Sequence, residues 1–118
     1  MNIEDQRKVI IVEGTTDKRK IQTIIKEPVD IICTNGTVGT SKLDELAEML
    51  DLREIYVLVD ADEAGEKLRR LLKREFPQAE HLYIDRSYRE VATAPSQHLA
   101  SVLLGADILV FTDYLRTN

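Results

Sequence analysis

The chain has 118 residues, the span of one ordinary domain: room for a single hydrophobic core and too little for two. Its 43% hydrophobic, 31% charged and 5% aromatic residues, without Trp, exclude a disordered or fibrous protein. A net charge of −5 excludes a protein that grips nucleic acid by counterion release over a broad basic face, and leaves weak or metal-bridged binding open.

No apolar run reaches the length of a membrane span, and Met1 to Lys8 lacks the basic-then-apolar order of a signal peptide. A cytoplasmic protein with no membrane partner is expected. Cys33 is the single cysteine, so it forms no internal disulfide and reads as an inert thiol at a strand end.

In chain order the elements read β-α-β-α-β-α-β-α, without repeat or linker. A first strand spans 8–13. A helix over 16–27 carries Ile21, Ile24 and Ile25 on one stripe and stops at Pro28. The second strand, 29–33, ends in the turn Thr34-Asn35-Gly36-Thr37. Ser41 fits the N-cap of a helix over 42–51 that turns Leu43, Leu46, Ala47 and Leu50 inward. The third strand, 54–60, is an uninterrupted Ile-Tyr-Val-Leu-Val run suited to a central parallel strand covered on both faces.

A helix over 62–76 places Ala64, Leu68, Leu71, Leu72 and Phe76 inward and ends before Pro77. The fourth strand is 80–84. Residues 85–94 lack a period and read as a long loop, and Pro95 suits the first turn of a helix over 95–104. Beyond it, a short strand at 108–111 or a docking tail both fit. The alternation predicts an α/β fold, a Rossmann-like three-layer α/β/α sandwich around a mainly parallel four-stranded sheet. One domain fills 1–118, with its core over 8–104 and a tail over 105–118.

Chemistry concentrates at two strand ends. Glu13-Gly14 closes the first strand, and Asp60-Ala-Asp62-Glu-Ala-Gly65 closes the third. In an open α/β sheet, the carboxyl ends of neighbouring strands share one crevice, where such folds bind ligands. A strand order 2-1-3-4 would set Glu13 beside Asp60. Carboxylates crowded there repel unless protons or a cation neutralise them, and an all-oxygen site with room for water suits Mg²⁺ or Mn²⁺. Asp62 equally fits the N-cap of the third helix, and a cap keeps an oxygen free for metal.

These motifs resemble the Toprim domain shared by topoisomerases, bacterial-type primases and certain small nucleases. The signature there is Glu-Gly on the first strand and Asp-x-Asp on a later one, followed by Gly, here Glu13-Gly14 and Asp60-Ala-Asp62 with Gly65. Val12-Glu13-Gly14-Thr-Thr-Asp17, the Thr34-Asn35-Gly36 turn and, more faintly, Val91-Ala-Thr-Ala-Pro-Ser96 look closest to the ribonuclease that matures 5S ribosomal RNA. A receiver domain, a haloacid-dehalogenase-type phosphatase and a dinucleotide-binding site would each need acids or glycines where this chain has none.

The resemblance implies Asp60 and Asp62 as ligands of Mg²⁺, and Glu13 as general acid/base or third ligand. Gly14, Lys18, Asn35, Gly36 and Lys67 are candidates for phosphate contact; each also fits a turn or a solvated helix face. Lys67, Arg70 and Arg74 recur on one face of the third helix and could steer a polyanion. Strand passage and priming are not expected, because the tyrosine-bearing domain and zinc module of those relatives have no counterpart here. His81 and His98 read as structural, Tyr56 and Tyr83 as core or rim, and Tyr88 and Tyr114 as loop residues.

Two activities follow. One is Mg²⁺-dependent phosphodiester cleavage of RNA or DNA, bound weakly by the chain alone. The other is a non-catalytic phosphate- or nucleic-acid-binding module working with a protein partner. These residues do not choose between RNA and DNA.

Overall fold

A computed structural model describes residues 7–36 and 39–115, with the side chain of Thr40 left aside. Four parallel strands, β1 (Lys8–Val12), β2 (Val29–Cys33), β3 (Ile55–Leu58) and β4 (Glu80–Leu82), form one sheet in the order β2-β1-β3-β4. The helices between and after them are α1 (Thr15–Gln22), α2 (Thr40–Met49), α3 (Glu63–Glu75) and α4 (Ser96–Gly105). The predicted architecture and strand order are what the chain adopts.

Alternation along β1 builds both faces. Ile10 and Val12 join Tyr56, Leu58 and Leu82 in a core covered by Ile21 within α1, Ile24 just after it, and Leu99 and Leu103 of α4. Val9 and Ile11 join Val57 and Val59 in a second core covered by Leu43 and Leu50 of the α2 segment and Leu68, Leu72 and Phe76 of the α3 segment. Side chains of a strand point alternately to opposite faces, so a strand apolar at every position is stable only between two helical layers.

Several boundaries move for local reasons. α1 stops at Gln22 rather than 27, where Thr23 Oγ1 donates to Lys20 O over 2.7 Å, and the chain leaves the helix so that Ile25 bridges Val110. Ile24 and Ile25 stay buried all the same. α2 starts at Thr40 behind Gly39, displacing Ser41 from the cap. Pro95 occupies the N-cap of α4 instead of its first turn. β1, β3 and β4 each end earlier than expected, releasing Glu13, Asp60 and Tyr83 from the ladder.

Ala64 is exposed, against expectation, because its neighbour Gly65 takes the buried position in the first turn of α3. Residues 108–111 form no full strand, and Val110 pairs with Ile25 in a single antiparallel bridge. Lys26 N donates to Leu109 O and Phe111 N to Ile24 O, both within 2.9 Å, and a 3₁₀ turn at Thr112–Leu115 follows. Among the described residues no helix is long and apolar enough to cross a membrane.

Candidate functional site

The β1 and β3 ladders place the two acidic motifs next to each other. Ile11 pairs with Val57, so the chain two residues past Ile11 and three past Val57 meets at one end of the sheet. There Glu13 Oε1 accepts a hydrogen bond from the Asp60 amide at 3.2 Å. Asp60 Oδ1 accepts from the Val91 amide at 2.8 Å, and Asp62 Oδ1 accepts from the Gly65 amide at 2.8 Å as N-cap of α3. Each carboxylate is thereby oriented by one backbone N–H.

Asp17 is a fourth member. Its Oδ2 accepts from the Gly14 amide at 3.0 Å, it also takes a hydrogen bond from the Ala92 backbone, and it is buried. Its place in the matched motif marked it in the sequence, but first-turn acids commonly serve the helix dipole alone, and its burial by the 85–94 loop was not legible. That loop is the missed part of the site. It donates from Val91 and Ala92 to the acids, accepts from Ala61 N through Arg89 O at 2.6 Å, and brings Glu90 close enough to repel Asp17 and Asp60.

Burial raises the pKa of Glu13, and neighbouring Asp60, Asp62 and Asp17 push it further up. Burial likewise raises Asp60, reinforced by Asp17, Asp62 and Glu90, and raises Asp17, reinforced by Glu90. Among the described residues no Lys or Arg forms a salt bridge with these acids. Such excess of negative charge is what a cation relieves.

The donor set fits Mg²⁺ or Mn²⁺: hard carboxylate oxygens, no thiol and no imidazole. Among the described residues, no three acidic, His or Cys side chains are disposed to grip one ion together.

Gly65 has a strict reason to be glycine. A Cβ there would run into the Asp60 carbonyl, so only glycine lets α3 start directly over the acidic turn. At Gly14 the nearest atom to an added Cβ is Asp17 Oδ2 at 3.7 Å, an ordinary contact, so the fold itself does not demand glycine there.

The phosphate candidates divide. Gly36 and Lys67 line a hollow of about 260 Å³ with Glu13 and Thr34, and Asn35 N donates to Glu13 O at 2.7 Å. Asn35 and Gly36 take φ of 55° and 97°, the left-handed turn that this dipeptide tolerates. Thr37 lies outside the described residues. Lys18 instead borders a separate groove with Asp30 and Met49 and is not brought to the acids. Arg70 and Arg74 are exposed on α3.

His81 and His98 both serve structural contacts: His81 Nδ1 meets Arg69 at 3.1 Å, and His98 Nε2 accepts from the Asp85 amide at 2.9 Å. Another cavity, of about 600 Å³, opens at the opposite end of the sheet among Leu50, Arg53 and Phe76 and holds none of these residues.

The sequence and the fold match known proteins. The family model of the Toprim domain matches residues 8–91. The chain is a member of the Toprim family. It is 57% identical to a solved small Toprim-domain protein from Bacillus stearothermophilus, with a TM-score of 0.92 over 96% of each chain. It is 55% identical to YusF of Bacillus subtilis (strain 168), across 98% of this chain and 80% of that protein. More distantly, it is 32% identical to ribonuclease M5 1 of Ligilactobacillus salivarius (strain CECT 5713), over 71% of this chain and 45% of that enzyme. This Toprim chain thus spans less than half the length of the ribonucleases M5 that it matches.

Proposed function

We propose that this Toprim protein is a divalent-metal-dependent nuclease that cleaves phosphodiester bonds in RNA, acting in the cytoplasm as a single domain. The observation that carries the reading is the meeting of Glu13 with the Asp60–Asp62 turn, three acids without a basic counterpart among the described residues. Similarity to the ribonucleases M5 supports RNA over DNA.

Asp60 and Asp62 would hold Mg²⁺ or Mn²⁺, which when bound neutralises charge at a phosphoryl group and lowers the pKa of coordinated water. Glu13, its pKa raised, takes and returns the proton at the oxygen not engaged by the Asp60 amide. Gly36 and Lys67 border the same hollow as Glu13 and are placed to meet phosphate oxygens.

The decisive measurement is cleavage of end-labelled structured RNA with Mg²⁺ or Mn²⁺. Wild type should cut, and Glu13→Gln should lose about a hundredfold or more, the scale of a general acid/base. Metal-dependent binding without any cut in RNA or DNA would replace this reading with the second one, a binding module. The net charge of −5 and the coverage of only 45% of the ribonuclease favour that alternative, since the rest of the enzyme would then supply grip.

A further inference from the structure

Alternation at the end of β4 sends Leu82 into one core and turns His81 and Tyr83 toward α3. There α3 presents Arg69, which is only 2% exposed. A buried guanidinium is costly unless its N–H groups are met. Nη2 donates to Leu82 O at 2.6 Å and Nη1 to His81 Nδ1 at 3.1 Å, while Glu66 stands 3.7 Å from Nε, which makes no hydrogen bond. An aliphatic residue would fill this place at less cost. What the arginine adds is a support: its guanidinium lies 4.0 Å from the centre of the Tyr83 ring.

Tyr83 remains 55% exposed with that support in place, so it offers a fixed aromatic surface to solvent. It lines a groove of about 640 Å³ whose wall holds Asp62, Glu63 and Glu66 on the α3 side and Arg86 and Arg89 on the loop side. Arg89 has φ of 61°, a left-handed backbone unusual for a residue other than glycine, with its carbonyl bound to Ala61 N between the two aspartates. The groove is therefore tied to the acidic turn through the backbone.

An open aromatic ring with two exposed guanidinium side chains in one groove matches the alternation of base and phosphate in a single strand. A base inside a duplex is covered on both faces and has none to give. We propose that this groove holds an unpaired nucleotide beside the reacting phosphodiester, its base stacked on Tyr83 and its phosphate oxygens paired with Arg86 and Arg89. The inference deepens the nuclease reading and rests on it for the direction in which the strand runs.

Binding is measured by fluorescence anisotropy with short fluorescein-labelled single strands of RNA and of DNA and with their duplexes, in EDTA and in Mn²⁺. Cleavage is followed separately. Single strands should bind more tightly than duplexes, and Tyr83→Leu, which keeps apolar cover over Arg69, should weaken them about fivefold or more, the loss of one base–aromatic stack. Tyr83→Phe should bind as wild type does. Arg86→Gln and Arg89→Gln should each flatten the salt dependence by about one unit. A strand carrying 5-iodouracil should cross-link on irradiation to the peptide containing Tyr83.

Unchanged single-strand affinity in Tyr83→Leu, with its melting temperature preserved, overturns the proposal, as does equal affinity for duplex and single strand in wild type. Tyr83-dependent binding without cleavage upholds the groove and removes the nuclease. Full cleavage at limiting substrate in Tyr83→Leu does the reverse.

Discussion

The two ends of the sheet treat their charges in opposite ways. At the end where the strands begin, Asp30 is bridged by Arg53 at 2.6 Å and Arg7 at 3.4 Å, and Lys8 meets Glu27 at 3.1 Å. Arg53 holds the Asp30 pKa below its usual value, with Arg7 adding to the effect. Where the strands finish, Glu13, Asp17 and Asp60 face one another and burial drives their pKa values up. Paired charge closes the fold at the first end. Unpaired charge at the second is held in place by backbone amides, an arrangement that costs stability.

The largest effect separating the ends should come from Asp60→Asn and Asp62→Asn. Each should reduce cleavage at least about a hundredfold, in the range seen when a charge-stabilising group is removed, and weaken Mn²⁺ in calorimetric titration. Because Asn caps helices as well as Asp does, Asp62→Asn should melt near wild type, whereas Asp62→Ala should lose about 1 kcal/mol. Wild-type metal affinity in both Asn variants would sink the assignment.

Next in size is Gly65→Ala. Its methyl group collides with the Asp60 backbone, and overpacking of this kind costs about 1–3 kcal/mol. Urea melts should show the loss, and Mn²⁺ affinity should fall with it, since α3 and the acidic turn are displaced together.

A smaller effect distinguishes repulsion from structure at Glu13. Unfolded, these carboxyls titrate near the ordinary values of 3.8 and 4.5; folding raises them, so the native state keeps protons that the unfolded chain has released. Their contribution is fully present below the unfolded pKa and is lost as pH rises through the folded one. Without metal, Glu13→Gln should therefore melt at or above the wild-type temperature at pH 7, and the gap should close as the pH is lowered toward 4. A large loss of stability in the variant would make Glu13 a structural partner instead.

The smallest change is expected at the paired end. Asp30→Asn removes bridges to partly exposed arginines, worth about 0–1 kcal/mol, and should leave cleavage and metal affinity untouched. Loss of activity there would dissolve the contrast between the ends.

Much of this molecule is written locally. Period-two and period-3.6 apolar patterns specify the β/α order, Pro77 marks the end of α3, and Glu13, Asp60 and Asp62 stand out because acids directly after buried strands have no packing reason to be there. Tertiary structure alone decides that β1 lies beside β3, which brings acids 47 residues apart into one hydrogen bond. It also decides that the 85–94 loop folds over those acids, that Arg69 is buried beneath Tyr83, and that Lys18 faces another groove. The loop has no period because irregular local turns satisfy the amides of Ser87, Tyr88, Arg89, Glu90 and Ala94, while those of Val91 and Ala92 turn to the distant carboxylates of Asp60 and Asp17. Helical spacing likewise cannot tell a solvated arginine from one whose donors are met by the next strand.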